Sequence, residues 1–166
     1  HKLDGWGFRT EIGSAVFTNY ESYKKFMPEP ERWPASPEML DKHFFGNSAG
    51  NARPTRYFAA VEYNYGKAAG TEDFCRKAQL LNIEVNKAMY EGWQHHLWND
   101  ASGILTWMSQ SAYPSFVWQT YDYYYDLNGA YWGVRKACEP LHIQWSYADN
   151  TVKVVNCLLY TSPSPR

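Results

Sequence analysis

The feature that most constrains the fold of this chain is a long amphipathic helix between two short strands. Residues 71–98 carry apolar side chains at alternating steps of four and three, which predicts one helix with a continuous apolar stripe. The stripe comprises Phe74, Ala78, Leu81, Val85, Ala88 or Met89, Gly92 or Trp93, and Leu97. Residues 5–10 before this helix and 104–108 after it have the composition of strands. Because parallel strands require a helical crossover, this order predicts a parallel α/β sheet or barrel.

Capping chemistry and proline placement set the predicted boundaries of the helices. Thr71 is the predicted N-cap of the long helix, and Glu72 and Asp73 lie in its first turn, where the helix dipole favours negative charge. Prolines separate the remaining helical segments, because proline ends a helix or begins one. The other predicted helices cover residues 19–27, 37–45, 115–125 and 129–138, and residues 46–54 are a predicted loop.

The C-terminal part of the chain changes from helical to alternating periodicity. Apolar residues alternate with polar ones over residues 141–145 and again over 152–154, on either side of a turn at 148–150. This pattern predicts a β-hairpin. We expect the hairpin to open a separate β domain over residues 141–156, after an α/β unit that covers residues 1–138.

The two ends of the chain have unusual sequences. The last ten residues, 157–166, resemble a translated sequencing adapter, so we expect the natural sequence to stop near Asn156. Segments of this kind are excluded from fold reasoning, as tags are. The chain also opens without an initiator methionine and inside a predicted strand, so we expect both ends to be cut. On this interpretation its main partner is the remainder of its own polypeptide.

Charge and hydropathy argue against two classes of partner. The chain has 16 basic and 17 acidic residues and a net charge of -1, so no long-range field would recruit nucleic acid or an anionic membrane. No run of 18 apolar residues is present, so we expect no segment to span a bilayer. Cys75 and Cys138 are predicted to be buried thiols rather than a disulfide.

The aromatic content is high, at 18% of the chain, with eight Trp and fourteen Tyr. Aromatic residues in such excess either fill a large core or line an open groove. Tyr and Trp suit a groove because each combines an apolar face with a polar edge, a surface that matches a sugar ring. Both interpretations stay open from composition alone.

Common catalytic and cofactor motifs are missing from the sequence. It has no Walker loop, GxGxxG, HExxH, GxSxG or paired CxxC, so nucleotide chemistry, zinc proteolysis and serine hydrolysis have no motif support. His95 and His96 are adjacent, and adjacent residues on a helix point about 100° apart, so they are poorly placed to clasp one metal. We therefore expect neither a metal nor a cofactor.

One carboxylate stands out by its position. Glu11 follows a short apolar segment and directly precedes a Gly-Ser turn, which places it at the end of the first predicted strand. Barrel enzymes carry their chemistry at the ends of strands. Glu11 is thus either a catalytic carboxylate or a solvated turn residue. By contrast, Glu84 falls on the polar side of the long helix, and Asp122 has the character of a structural cap.

Several segments share the order and spacing of one enzyme family. They are residues 5–11 (GWGFRTE), 73–80 (DFCRKAQL), 90–93 (YEGW), 103–110 (GILTWMSQ), 118–122 (WQTYD), 128–133 (NGAYWG) and 139–144 (EPLHIQ). In these segments the chain resembles glycoside hydrolase family two, and within it the branch of exo-β-D-glucosaminidases and mannosylglycoprotein endo-β-mannosidases. The resemblance covers nearly the whole chain up to Asn156.

The resemblance implies a fold and a set of site residues. It implies that residues 1–138 are the C-terminal part of a (β/α)8 TIM barrel, from its seventh strand onward, and that 141–156 are the first strands of an immunoglobulin-like β-sandwich. It identifies Glu11 as the nucleophile and Trp107 as the floor of the subsite for the cleaved sugar. Tyr113 and Trp118 match a following loop in which relatives also present aromatic residues.

The implied reaction is hydrolysis of a glycoside with retention of configuration. It requires two carboxyl groups roughly 5–5.5 Å apart, one ionised to attack the anomeric carbon and one protonated to release the leaving oxygen. Arg9, two residues before Glu11, is either a partner that lowers the pKa of Glu11 or part of an outward ion pair at the rim. The family's acid follows the fourth strand, which is not in this chain, so we expect the chain alone to be inactive.

The substrate implied by the resemblance is an oligosaccharide or glycan. The favoured reading is an exo-β-D-glucosaminidase, and the alternative within the family is a β-mannosidase or endo-β-mannosidase. Two hypotheses of other classes remain, namely a noncatalytic carbohydrate-binding module and an inactive structural relic. The sequence does not identify a compartment; a bacterial member of the family would be periplasmic or secreted.

Overall fold

The structure is a computed structural model that describes residues 6–44 and 53–157 of the 166-residue chain. Residues 45–52, which include most of the predicted loop, and residues 158–166 of the predicted adapter tail lie outside the described residues. In chain order the elements are β1 (Gly7–Ile12), α1 (Tyr20–Phe26), a 3-10 turn (Glu29–Glu31), α2 (Pro37–His43), α3 (Pro54–Tyr65), α4 (Thr71–His95), β2 (Ala101–Thr106), α5 (Gly129–Ala137), β3 (Leu141–Ser146) and β4 (Thr151–Asn156).

The strands β1 and β2 form a two-stranded parallel sheet, as the order strand, long helix, strand predicts. Gly7 lies opposite Ala101 and Ile12 lies opposite Thr106, so the two strands end at the same edge. The crossover between them contains α4, whose 25 residues end at His95 rather than at residue 98. The α/β class is therefore confirmed.

The start of α4 differs from the prediction in its cap. Gly70, not Thr71, occupies the N-cap position, and Thr71 is already the first helical residue. The carboxylate of Asp73 accepts a hydrogen bond of 2.9 Å from the backbone N–H of Ala69, which lies just before the helix. The N-cap position therefore makes no side-chain hydrogen bond, and Asp73 instead holds the segment that leads into the helix.

The buried face of α4 is more polar than its apolar stripe suggests. Phe74, Ala78 and Leu81 are buried as expected, but Asn82 and Asn86 are buried beside them. The Asn82 side-chain N–H donates to the carbonyl of Phe17 (2.8 Å), in the segment that follows β1. Burial of this amide is tolerated because its hydrogen-bonding groups are satisfied. The helix thereby holds the chain just beyond the end of β1.

The segment after β1 enters the core of the described chain. Residues 15–18 are buried, and the rings of Phe17 and Phe116 stack with their centroids 4.4 Å apart. Tyr23 and Met27 of the α1 region pack in the same cluster. Many of the aromatic residues therefore form core, while others remain on the surface.

The prediction of a helix over residues 115–125 is wrong. This region is irregular, and it makes an isolated antiparallel bridge from Val117 to Ala15. Its buried polar side chains bind locally instead of facing solvent, since the Ser115 hydroxyl donates to Ser111 (2.8 Å) and Gln119 donates to the carbonyl of Ser115 (2.7 Å). Such side-chain bonds compete with a helical ladder. In contrast, the predicted helix over 129–138 is confirmed as α5.

The predicted hairpin is confirmed as the antiparallel pair β3–β4, but it packs by its polar face. The imidazole of His142 lies 2.7 Å from the Glu91 carboxylate of α4, and the amide of Gln144 donates to the Glu91 carbonyl (2.7 Å). Both His142 and Gln144 are buried, whereas Ile143 and Trp145 point outward. The apolar side of the hairpin is therefore exposed in the described chain.

Cys75 and Cys138 are free thiols, as predicted. Only Cys75 is buried, although burial was predicted for both. Cys75 lies in the core, and burial raises the pKa of its thiol to about 12. Cys138 is exposed, and the prediction of its burial is wrong because it is the C-cap residue of α5, outside the packed face of that helix.

Candidate active site

Glu11 is the next-to-last residue of β1, and its side chain is exposed. Together with Ile12 and Gly13 it lines an open groove of about 300 Å³, and the other lining residues are Arg9, Trp107 and Trp118. Four of the five residues predicted for the site are thus brought together. Glu11 is the only acid among the groove's lining residues.

Trp107 reaches the groove because it directly follows β2. Its backbone N–H donates to the carbonyl of Ile12 (2.8 Å), so the parallel pairing of the strands continues to this point. The carboxyl ends of adjacent parallel strands lie at one edge of a sheet, which explains why Trp107 is beside Glu11. The indole is 49% exposed and forms an aromatic wall of the groove.

Trp118 enters the groove from the irregular segment after β2. Its N–H donates to the Ser14 carbonyl (3.0 Å), and its carbonyl accepts from the N–H of Met108 (2.6 Å). The residue has a φ of 47°, in the left-handed region that bulky side chains rarely adopt. The surrounding hydrogen bonds hold this conformation and fix the half-buried indole against the core.

Gly13 is a site residue that the sequence analysis did not single out. A Cβ at this position would lie 2.0 Å from the backbone oxygen of Trp107 and 3.0 Å from the Cδ1 atom of Trp118. The absence of a side chain is what allows the two tryptophans to approach the end of β1. A glycine immediately after a strand was the available signal, since such glycines mark close backbone approaches.

Arg9 makes neither of the two contacts considered from the sequence, since it does not pair with the carboxylate of Glu11. Its Nε–H donates instead to the backbone carbonyl of Glu11 (3.1 Å). Nor does it form an outward ion pair with any residue in the ranges that the structure covers. Arg9 remains a lining residue of the groove.

Tyr113 is the predicted site residue that the structure does not bring into the groove. Its side chain is partly exposed in the irregular segment after β2, directly before Pro114, and it is not among the groove's lining residues. Tyr113 was predicted as a site residue because the resemblance places it in this segment. The path of an irregular segment depends on its tertiary contacts, which sequence spacing does not contain.

Two other acids singled out in the sequence, Glu84 and Asp122, do not line the groove. Glu84 is exposed on α4, as predicted. Asp122 is buried and accepts hydrogen bonds from the N–H groups of Tyr124 (2.8 Å) and Asp126 (3.0 Å) and from the hydroxyl of Thr18 (2.8 Å). The interpretation of Asp122 as a structural cap is confirmed.

The described residues contain neither a metal-binding cluster nor a membrane-spanning helix. No group of three or more His, Cys, Asp and Glu side chains in ranges 6–44 and 53–157 is arranged to hold a metal ion. His95 and His96 contact different partners, Asp149 (3.1 Å) and Asp100 (2.8 Å). None of the helices in these ranges has the length and apolarity needed to cross a membrane.

A larger cavity of about 430 Å³ lies elsewhere in the chain. It is formed by α2, α3 and the segment before α2, with Trp33, Leu40 and Phe58 among its lining residues. None of its lining residues follows a strand, and its lining is mainly apolar. The groove beside Glu11 is therefore the candidate for chemistry, although it is smaller.

Comparison with known proteins identifies the homologues of this chain as glycoside hydrolases of family two, which confirms the resemblance found in the sequence. Similar proteins include exo-β-D-glucosaminidases from Amycolatopsis orientalis, 33% identical over 156 residues and 91% of this chain, and from Streptomyces avermitilis, 43% identical over 103 residues and 60% of this chain. A mannosylglycoprotein endo-β-mannosidase from Lilium longiflorum is 29% identical over 91% of this chain.

A solved structure agrees with these sequence matches. The complex of a variant of the Amycolatopsis orientalis exo-chitosanase CsxA with PNP-β-D-glucosamine superposes with a TM-score of 0.79, at 32% identity over 92% of this chain. No family model matches the chain. The chain spans 15% of the Amycolatopsis glucosaminidase, 11% of the Streptomyces enzyme, 17% of the lily enzyme and 18% of the CsxA chain.

Proposed function

We propose that this chain is part of a retaining exo-β-D-glucosaminidase and that Glu11 is the nucleophile of that enzyme. The observation that carries the proposal is the groove that Glu11, near the end of β1, lines together with Trp107 and Trp118. The names of most of the matched relatives support glucosamine as the sugar, and CsxA binds PNP-β-D-glucosamine. The alternative is a β-mannosidase or endo-β-mannosidase, which the lily relative supports.

The groove supports one half of a two-carboxyl mechanism. The ionised carboxylate of Glu11 attacks the anomeric carbon, and the glycosidic bond breaks as a second carboxylic acid protonates the leaving oxygen. Water then hydrolyses the glycosyl ester on Glu11 and releases the sugar with its original configuration. Trp107 offers its exposed indole face as the floor beneath the sugar ring. We expect the acid from the remainder of the polypeptide, so the chain alone is expected to be inactive.

The proposed enzyme architecture follows from the faces that the elements leave open. We propose that residues 1–138 are the end of a (β/α)8 barrel, with β1 and β2 as its seventh and eighth strands. This is supported by their parallel pairing and by the exposure of most of β1, since further strands would cover it. We further propose that residues 141–156 begin an immunoglobulin-like β-sandwich and that 157–166 are not native.

The experiment that tests the role of Glu11 is covalent labelling. A mechanism-based fluorosugar of glucosamine configuration is applied to the complete enzyme that contains this chain, and the labelled peptide is identified by mass spectrometry. We expect the label on Glu11, and none in the Glu11→Gln variant. A label on another carboxylate would show that Glu11 is not the nucleophile.

A second candidate function is noncatalytic carbohydrate binding. It is favoured by one observation, namely that Glu11 is the only acid that the described residues contribute to a groove with two tryptophan walls. This alternative predicts that Glu11→Gln leaves both sugar affinity and any hydrolysis unaltered in the complete protein. The glycosidase proposal predicts that hydrolysis is lost while affinity for the sugar remains.

A further inference from the structure

A second groove, of about 630 Å³, lies on the segment that follows β2. Its lining residues are Lys25, Gln110, Ser111, Ala112, Tyr123, Tyr124 and Tyr125. We call it the tyrosine groove. It shares no lining residue with the groove beside Glu11, and neither the sequence analysis nor the proposed mechanism uses it. Its volume is in the range of small-molecule sites.

The two grooves are joined by a short ribbon of backbone. Trp107 and Trp118 lie at one end of this ribbon, where the Met108 N–H donates to the Trp118 carbonyl (2.6 Å). Further along, the Ser109 carbonyl accepts from the N–H of Tyr121 (2.9 Å), and Gln110 forms a parallel bridge with Tyr121. Because Trp107 and Gln110 are three residues apart, their Cα atoms are separated by at most about 11 Å. An oligosaccharide with one ring beside Glu11 can extend that far.

The turn that presents the tyrosines is firmly anchored. The buried Asp122 carboxylate caps it through the N–H groups of Tyr124 and Asp126, and its other oxygen accepts from Thr18, just after β1. The Asn19 amide adds hydrogen bonds to the Asp126 carboxylate (2.9 Å) and the Leu127 carbonyl (2.8 Å). The turn that carries the tyrosines is thus hydrogen-bonded to the segment that follows β1. Because the turn is already held in place, binding a ligand requires little further ordering of the chain.

The exposed chemistry of the tyrosine groove suits a carbohydrate. Tyr125 is 79% exposed and is held at a φ of 64°, a left-handed conformation that is unusual for a bulky residue. Tyr123 is also exposed, and Gln110 offers an amide to hydroxyl groups. The groove combines flat apolar ring faces with hydrogen-bonding groups, which is the pairing that sugar rings require. Its lining contains no carboxylate, so it is not a second catalytic site.

We propose that the tyrosine groove binds the sugar residues on the leaving-group side of an oligosaccharide whose terminal ring lies beside Glu11. This inference rests on the proposed glycosidase function and adds to it the residues of this chain that hold the extended part of the glycan. Tyr123 and Tyr125 supply the stacking surface, and Gln110 is the lining residue nearest in sequence to Trp107.

The test compares two substrates in the complete enzyme that contains this chain. The double variant Tyr123→Ala and Tyr125→Ala is assayed on a glucosamine tetrasaccharide and on PNP-β-D-glucosamine. Tyr63→Ala is the matched control, because Tyr63 is 89% exposed on α3 and belongs to neither groove. We expect the double variant to raise the KM for the tetrasaccharide roughly tenfold while kcat/KM for PNP-β-D-glucosamine changes less than about twofold. The control should leave both unchanged.

The outcomes separate this inference from the function on which it rests. An unchanged KM for the tetrasaccharide overturns the inference but leaves the glycosidase proposal intact. An equal loss on both substrates also overturns it, since the tyrosines would then act on structure rather than on the extended part of the glycan. If the unmodified enzyme hydrolyses neither substrate, both proposals are contradicted.

Discussion

Glu11 is an acid at the end of a strand, and its predicted role depends on its charge more than on its shape. Glu11→Gln keeps the size of the side chain but replaces an anionic nucleophile with a neutral amide. We expect kcat on PNP-β-D-glucosamine to fall by about a thousandfold or more in the complete enzyme, as is typical when a nucleophile is removed. Steady-state kinetics measures kcat, and titration calorimetry checks that the sugar is still bound. A variant within tenfold of the unmodified enzyme would contradict the assignment.

Gly13 sets the spacing of the groove, although it carries no functional group. Gly13→Ala would place a Cβ 2.0 Å from the Trp107 carbonyl oxygen, which is backbone and must move. We expect a loss of stability of about 1–3 kcal/mol from overpacking. We also expect kcat/KM to fall roughly a hundredfold, because a displacement of about 1 Å is enough to misplace catalytic groups. Thermal unfolding and steady-state kinetics on the same preparation measure the two effects. Unaltered kinetics would show that Trp107 and Trp118 need not approach β1 so closely.

At the scale of single residues, the predictable part of the site is the part that strand geometry determines. Glu11 and Trp107 each lie at the end of a strand, and parallel pairing brings such ends together. The hydrogen bond from Arg9 to the Glu11 carbonyl is a local contact that sequence spacing does not reveal. The left-handed backbone of Trp118 has no sequence signal, since hydrogen bonds to Ser14 and Met108, which are distant in sequence or outside its own element, hold it.

The packing of α5 on α4 is governed by two glycines on α5. A Cβ at Gly129 would lie 2.3 Å from the Gln79 carbonyl oxygen, and one at Gly133 would lie 2.4 Å from the Ile83 carbonyl oxygen. The glycines therefore let the backbones of the two helices approach closely. Helix capping adds to this arrangement, because the Asn128 side chain accepts from the N–H of Ala130 (2.9 Å) at the start of α5.

Two glycine-to-alanine substitutions on these helices should have opposite effects. Gly133→Ala forces α5 away from α4 and should cost about 1–3 kcal/mol of unfolding free energy. Gly92→Ala lies within α4, where an added Cβ meets nothing within 4 Å, so it should stabilise by about 0.5–1 kcal/mol through helix propensity alone. Thermal unfolding of the two variants under one condition measures the difference. Equal shifts in the two unfolding midpoints would show that helix propensity, not close packing, determines the stability of both variants.

At the scale of elements, periodic segments were predictable and irregular ones were not. The apolar periodicity of α4 and the alternation of β3 and β4 are strong local signals, and each appears as predicted. The sequence analysis assigned no helix to Pro54–Tyr65, which forms α3. It also placed a helix over 115–125, where buried serine and glutamine side chains bind the backbone and each other instead. Tertiary contacts determine the conformation of residues 115–125, and such contacts leave no periodic pattern in the sequence.

At the scale of the whole molecule, the proposed barrel and β-sandwich would each cover a face that exposes apolar side chains within residues 6–44 and 53–157. One is the sheet of β1 and β2, where Phe8 and Leu105 are exposed. The other is the outer face of the hairpin, where Ile143 lies opposite Val154 and both point away from α4. A face of this kind packs against a second sheet in a β-sandwich. This is the surface expected if residues 141–156 begin such a domain.

One substitution and its control test whether a second sheet covers the outer face of the hairpin. Ile143 is 67% exposed in the described chain. Ile143→Lys therefore removes few contacts within that part of the chain. In the complete protein, a second sheet over this face would force the lysine into an apolar interface, at a cost of about 2 kcal/mol or more. Leu80→Lys is the control, because Leu80 is 50% exposed on α4 and away from the hairpin face, and it should change stability by less than about 0.5 kcal/mol. Denaturant unfolding of both variants of the complete protein measures the two costs, and an equally small effect at Ile143 would mean that solvent, not a second sheet, faces β3.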